Sequence, residues 1–378
     1  MTKIPETGYS GLTGEYRPMH DLTFWRKKLL PYTKKSDAIA FRQIIVTLIP
    51  FVGLWAAYIH LVEQSIWYFI PFSFVVSFFI LRCFVLMHDC GHKAMFKTMW
   101  MNKFFGYLMG VITGMPQAVW SKNHDYHHNT NGDWVKYGGV FNIITTQDYA
   151  ALSDKKKKHY WWYRQPIILI PAGFFYVLFN PRFNWAVGIL VMLVKLVKSI
   201  ITLQFSKAVD DFQKWETKFW KSKQDFWHMT YNNLLLLAIW VVMIQWIGAL
   251  EFFALYVVST SLSGTWGILL FTIQHNFEHA YATDTQHVNH YRAALEGTSM
   301  LVQPRIFNWF TADIAYHHLH HLSVAIPNYR LEACHKEWEH LFKDVKRVKI
   351  TELLTTFDYM LWDPQLQKVV SRESILNT

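Results

Sequence analysis

Apolar positions gather into long runs that come in two pairs. Residues 41–62 and 66–87 are separated by a turn of three polar residues, and residues 233–249 and 252–273 by a turn containing Glu251. Most of these runs are long enough, as helices, to cross roughly 30 Å of hydrocarbon. The pattern predicts an all-α integral membrane protein with about four transmembrane helices in two hairpins.

Shorter apolar stretches fill part of the space between the hairpins. Residues 104–115 contain three glycines and predict a re-entrant or in-plane helix. Residues 167–179 are short for a span, and residues 185–203 are interrupted by Lys195 and Lys198. The interruption favours an amphipathic helix on the membrane surface, separate from the stretch before it.

Composition agrees with a membrane protein. Hydrophobic residues make up 52% of the chain and charged residues only 17%, against about 25% in soluble domains. The net charge of +10 raises the question of nucleic acid, but the basic residues flank the apolar runs, so no nucleic-acid partner is expected. The cysteines are three in number and form no CxxC, so neither a disulfide framework nor a thiolate metal site is expected.

Lysine and arginine are distributed unevenly about the hairpins. Both short turns lack them, whereas the segments before, between and after the hairpins are rich in them. The positive-inside rule places these basic segments in the cytoplasm. We expect a cytoplasmic N-terminal segment (1–40), a membrane domain with a helical cytoplasmic cap (41–340) and a cytoplasmic C-terminal tail (341–378).

Histidines occur in boxes spaced by three or four residues, all in the predicted cytoplasmic segments. Residues at this spacing share one face of a helix and can bind one metal ion. The three clearest boxes hold His88 and His92; His124, His127 and His128; and His317, His320 and His321. His275 and His279 form a further pair.

Eight box imidazoles are too many for one ion, since zinc takes four ligands. Two octahedral ions would need about this many. Imidazole suits iron, zinc, copper and nickel. His318 lies about 100° around a helix from His317 and is not expected to be a ligand. Carboxylates should orient the imidazole N–H groups, and those beside the boxes are Asp89, Asp125, Glu278 and Asp313.

The boxes HDCGH, HDYHH and HHLHH resemble the HxxxH, HxxHH and HxxHH boxes of the membrane fatty-acid desaturase family. Residues 274–278, 295–299 and 316–329 resemble its bacterial and cyanobacterial acyl-lipid branch, and the likeness covers roughly residues 40–340. It implies an O2-dependent enzyme that introduces a cis double bond into a fatty acyl chain. It also implies a di-iron centre bound by the eight box histidines and His275, while His279 stays open.

The resemblance implies partners and a location as well. No His-Pro-Gly-Gly signature of a cytochrome b5-like domain is present, so electrons are expected from a ferredoxin or similar donor. The substrate would be a fatty acyl lipid, and the location a bacterial inner membrane. A di-iron hydroxylase of alkane, sterol or carotenoid is the alternative enzyme. A metal transporter is the alternative from another class, although here the boxes cap the spans instead of lining a path through them.

Overall fold

The computed structural model describes residues 22–139 and 141–376, and most of them are helical. The first 21 residues of the expected N-terminal segment lie outside the described residues. The helices are α1 (Leu22–Leu29), α2 (Asp37–Val62), α3 (Phe69–Gly91), α4 (Met99–Thr113), α5 (Gln117–Thr130), α6 (Thr146–Ala150), α7 (Asp154–Trp162), α8 (Leu169–Phe174), α9 (Asn180–Ile201), α10 (Phe205–Lys214), α11 (Lys223–Ile247), α12 (Ala249–His275), α13 (His290–Leu295), α14 (Arg305–Phe310), α15 (His317–Leu322), α16 (Asn328–Glu337) and α17 (Glu373–Leu376).

Four of the helices that are long and apolar enough to cross a membrane form two hairpins. The first pairs α2 with α3, and the Ser65 side chain caps the short 3₁₀ turn before α3 by accepting from Trp67 N–H. The second pairs α11 with α12 through Gly248, whose φ of 95° suits glycine. The Tyr58 hydroxyl donates to the Glu251 carbonyl at 2.6 Å, so both turns lie at the same end of the molecule.

A fifth apolar helical stretch runs from Pro166 to Ile201. The sequence predicted two separate stretches here, but α8 and α9 are joined by a π-helical segment, Phe175–Phe179. Pro181 has no N–H for the carbonyl of Val177, and the Arg182 guanidinium donates to that carbonyl at 2.9 Å instead. The described residues therefore contain five helices long and apolar enough to cross a membrane, where about four were expected.

The prediction of an all-α fold needs correction, because short strands occur outside the long apolar helices. They are β1 (Ile144–Thr145), β2 (Met300–Val302), β3 (Arg347–Lys349), β4 (Leu361–Asp363) and β5 (Lys368–Val370). One sheet has the order β1-β4-β5, and β2 pairs with β3 in parallel. Strands of two or three residues are too short for an alternating pattern to show in the sequence.

Within residues 341–376, the predicted C-terminal tail contains β3, β4, β5 and α17. The N–H of His279, just after α12, donates to the Val369 carbonyl at 3.1 Å. The Asn276 amide donates to the Tyr359 carbonyl at 3.2 Å. The tail thus fixes the backbone that follows His275.

Candidate metal centre

The ends of α3 and α12 meet the short helices α5 and α15 at one place. His88 lies in the last turn of α3 and His275 is the last residue of α12. A Cβ at Gly91 would lie 2.3 Å from Ser121 Oγ on α5, so glycine lets the end of α3 pass α5 closely. This contact brings the first histidine box beside the second.

The predicted ligand histidines converge as two neighbouring groups. Within each group the potential ligand nitrogens all lie within 4.8 Å of one another. The first group is His88, His92, His124, His128 and His320, and the second is His127, His275 and His321.

Distances between ring nitrogens show how closely the groups are drawn together. In the first group, His128 Nε2 lies 3.0 Å from His124 Nε2 and 3.1 Å from His320 Nε2. In the second, His275 Nε2 lies 3.2 Å from His127 Nε2. His317 joins the second group because its Nε2 is 2.9 Å from His275 Nε2. All nine predicted histidines therefore lie at one site.

Such convergence of nitrogens fits metal ions. A neutral imidazole has one lone pair and one N–H, so a group of lone pairs aimed at one point needs a cation between them. His92 Nε2 and His321 Nε2 are buried and have no hydrogen-bond partner among the described residues, which is unusual for buried polar atoms. Ions held between these nitrogens would satisfy both.

Five site histidines outside the spans have lowered pKa values, which favours the neutral form that binds metals. Burial lowers the pKa of His127 to about 4. Burial, reinforced by neighbouring imidazoles, lowers the pKa values of His124, His128, His320 and His321 well below the ordinary value. At neutral pH their lone pairs are free for metal ligation.

Two of the four predicted carboxylates contact site histidines. Asp89 Oδ1 lies 2.9 Å from His88 Nδ1, and its Oδ2 accepts the Asn328 N–H at 3.0 Å. Asp125 Oδ1 lies 3.3 Å from His92 Nδ1. A carboxylate at Nδ1 fixes the proton there and leaves Nε2 free for a metal.

The other two carboxylates lie elsewhere. Glu278 is half exposed and approaches the exposed His279 at 4.0 Å. Burial, then Glu332, raises the pKa of Asp313 to about 6. Within the described residues neither carboxylate forms a hydrogen bond or ion pair with any of the nine site histidines, and His279 belongs to neither group.

His318 is buried with its side chain turned away from both groups. Its Nε2 lies 3.1 Å from His335 Nδ1, and its ring contacts Phe342 edge-on. The structure thus separates His318 from its neighbours in α15, as the helical angle predicts.

A cavity of about 630 Å³ leads away from the histidines, within the size range of small-molecule sites. Its wall is mostly apolar and includes His88, His124, His127 and His317. The aromatic side chains of this wall come from several helices. They include Phe84, Trp120, Tyr176 and Phe271, and Trp120 stacks on His124 with ring centroids 4.7 Å apart.

The family assignment comes from comparison with known proteins. The family model described as "Fatty acid desaturase" matches residues 65–351. The chain belongs to the fatty acid desaturase family. It is therefore an enzyme of lipid metabolism, an oxidoreductase, and the predictions of family and enzyme class are confirmed.

Individual relatives extend this assignment over nearly the whole chain. A fatty acid desaturase of Bacillus subtilis is 30% identical over 351 residues, covering 92% of this chain and 90% of that protein. The sn-1 oleoyl-lipid 12-desaturase of Synechocystis is 24% identical, covering 84% and 82%. A stretch of 104 residues is 30% identical to the sn-1 acyl-lipid omega-3 desaturase (ferredoxin) of Nostoc, 27% of each chain. These relatives do not favour a hydroxylase or a metal transporter.

Proposed function

We propose that this protein is an O2-dependent desaturase that introduces a cis double bond into a fatty acyl chain at two irons held by its nine histidines. The observation that carries the proposal is the meeting of two imidazole groups with one apolar cavity. The histidines supply ligands for two ions, and the cavity offers an apolar chain a path that reaches them.

The cavity wall is proposed to position the acyl chain. A methylene chain has no polar group near its reacting carbons, so only the shape of the wall can place it. The indole N–H of Trp120 donates to the Tyr176 hydroxyl at 2.9 Å, which fixes two wall aromatics from different helices. Closely packed rings of this kind also exclude water from the reacting carbons.

Carboxylates orient two of the ligand histidines through their Nδ1 atoms. Asp89 keeps a proton on His88 Nδ1 and joins α3 to the start of α16 through Asn328. Asp125 can do the same for His92 from the more exposed side. Both contacts leave the Nε2 lone pairs of these histidines pointing into the first group.

The chemistry favours iron over zinc at these ligands. Removing two hydrogens from a saturated chain is a two-electron oxidation, and zinc has no redox chemistry, whereas imidazole also binds iron. Two bound irons would supply O2 activation and the removal of hydrogen from unactivated C–H bonds.

An external electron donor completes the reaction. Reducing O2 to two waters takes four electrons, of which the acyl chain gives two, so a donor must give the other two. A ferredoxin-like protein is proposed, and the Nostoc relative, an omega-3 desaturase (ferredoxin), supports it. The net charge of +10 would favour encounter with an acidic carrier.

The proposed location is a bacterial inner membrane with the metal centre on the cytoplasmic side. Support comes from the two hairpin turns, which lack Lys and Arg and lie together at the ends of α3 and α12 opposite to His88 and His275. The segments at the histidine end are rich in both residues.

The test is expression in a host with a simple fatty-acid profile, followed by analysis of fatty-acid methyl esters. We expect a new cis-unsaturated product that forms only when O2 is supplied. Hydroxylated chains would contradict the proposal, and so would unchanged lipids from iron-loaded protein with a working donor.

A pair of variants in α15 makes the test specific. His321→Ala should reach the membrane at normal levels and give no product, because it removes a ligand of the second group. His318→Ala should retain substantial activity, because that ring contacts His335 instead. Equal loss in both would reject the assignment of this box.

A further inference from the structure

One part of the cavity wall is basic. Among its lining residues are Lys122, Lys218 and Lys221, against the single carboxylate of Asp225. The same cavity is apolar along most of its wall and reaches the site histidines. A ligand that fills it would therefore place an apolar chain at the histidines and an anionic group near the lysines.

The three lysines are not equivalent. Lys122 Nζ contacts both carboxylate oxygens of the buried Asp225, at 2.7 and 2.8 Å, so its charge is already balanced. Lys218 has no ion pair within the described residues. Lys221 approaches Glu216 only at 3.8 Å, with both side chains about half exposed or more, a contact of little energy. Two ammonium groups are therefore available to a ligand.

Lys218 and Lys221 lie in the loop of residues 215–222, which follows an amphipathic helix. On α10, Phe205, Val209 and Phe212 lie on one face, and each is more than half exposed. The opposite face carries Lys207, Asp210, Asp211 and Lys214. A short helix with this division lies in the membrane interface with its apolar face among the lipids.

Trp220 fixes the loop to the apolar helix α9. Its indole N–H donates to the Trp215 carbonyl at 2.7 Å, and its ring packs so closely on Gly188 that a Cβ there would lie 2.2 Å away. Met192 on the next turn belongs to the same buried cluster. With α10 in the membrane interface, this packing would hold the basic part of the cavity at the level of the membrane surface, beside lipid head groups.

We propose that Lys218 and Lys221 form a binding subsite for the head-group phosphate of a membrane glycerophospholipid, whose acyl chain enters the cavity. The inference rests on the proposed function and adds the class of substrate to it. Ammonium groups bind phosphate oxygens through charge-assisted hydrogen bonds. With the phosphate held at a fixed place, the histidines act on acyl carbons at a fixed distance from the head group.

The test uses full-length, iron-loaded protein in bilayers that contain equal amounts of phosphatidylglycerol and a neutral diglycosyl diacylglycerol with the same acyl chains. The variant is Lys218→Gln/Lys221→Gln. Its matched control is Lys155→Gln/Lys156→Gln, which removes the same charge from exposed residues of α7 that do not line the cavity. Desaturated product is measured for each lipid, and phospholipid retained after purification is measured by mass spectrometry of lipid extracts.

Wild type and control should prefer the phospholipid. The variant should lose roughly ten-fold in kcat/KM for it, about the effect of one charge-assisted hydrogen bond, and should retain less of it. Turnover of the glycolipid and iron content should not change. Equal use of both lipids by wild type, or a variant that keeps its preference and its retained phospholipid, would overturn the inference.

Two further arms separate other sources of the phosphate. Excess inorganic phosphate should not inhibit wild type, and inhibition that disappears in the variant would overturn the lipid assignment in favour of a free-phosphate site. Product formed only from acyl thioesters of coenzyme A or acyl carrier protein would overturn it as well. Absence of product from every substrate would count against the proposed function. The subsite would then still be tested by whether the variant retains less phospholipid than wild type and control.

Discussion

Each hairpin pairs an inner helix that reaches the histidine site, α3 or α12, with an outer helix that does not, α2 or α11. The inner and outer helices differ more in packing than in hydropathy. In α3 and α12, 61% and 50% of the most apolar 18-residue window is buried, against 17% in α2 and 22% in α11. His88 and His275 belong to α3 and α12, while the exposed His60 on α2 belongs to neither group. Apolar length alone does not distinguish the two kinds of helix.

Small and hydroxylated residues account for the close packing of α12. Ser259 and Ser261 donate to carbonyls four residues back, at 2.7 and 2.6 Å, so their hydroxyls stay satisfied within the helix. A Cβ at Gly264 would lie 2.7 Å from the Gly173 carbonyl oxygen of α8. At Gly53 on α2 nothing lies within 4 Å. Small residues permit close helix contact in membranes, and α12 uses them for this purpose.

The largest effect should come from removing a ligand at the end of an inner helix. His88→Ala and His275→Ala should each lower desaturation more than about 100-fold and release iron, because ligands matter more than the groups that orient them. The matched change His60→Ala on the outer helix α2 should leave desaturation and iron content unchanged. Turnover and iron per chain are measured on equal amounts of membrane-inserted protein. Comparable loss in His60→Ala would remove the functional difference between the helices.

A smaller effect is expected from the carboxylate behind His88. Asp89→Asn should lower iron occupancy or turnover about 10–100-fold, because an amide holds the Nδ1 proton less firmly than a carboxylate. Glu251→Gln makes the same chemical change at the turn of the second hairpin, far from the histidines, and should have no effect. Normal iron affinity in Asp89→Asn would mean that Asp89 serves only its contact with Asn328.

The third effect concerns stability. Gly264→Ala should destabilise the protein by about 1–3 kcal/mol, the range for overpacking, because the new methyl group meets the backbone of α8. Gly53→Ala faces open space and should be neutral or slightly stabilising, since alanine favours helix. Thermal unfolding of both variants in one detergent measures the difference. A neutral Gly264→Ala would show that the α8–α12 contact can relax.

Local patterns made much of the site predictable from the sequence. The spacings of His124, His127 and His128 fix one helix face, and the two hairpins could be read from apolar length. His318 could be set apart from His317 by its helical angle alone. These inferences need only a few neighbouring residues, which is why they required no tertiary structure.

Long-range packing explains what was missed. Between α8 and α9, Arg182 donates to the Val177 carbonyl that Pro181 leaves without an N–H, a contact that no hydropathy pattern shows. The exposure of Glu278 follows from a change in chain direction after α12, where the backbone turns to pair with Val369. The cavity wall combines residues from several helices, so its members could not be named individually.

The most direct test of the account is iron stoichiometry against turnover. The purified protein, freed of metal and then titrated with ferrous iron, is assayed for iron per chain by mass spectrometry and for desaturation at each point. The two histidine groups predict that activity rises until two irons are bound per chain. Full activity reached at one iron per chain would contradict the di-iron centre, however well the nine histidines converge.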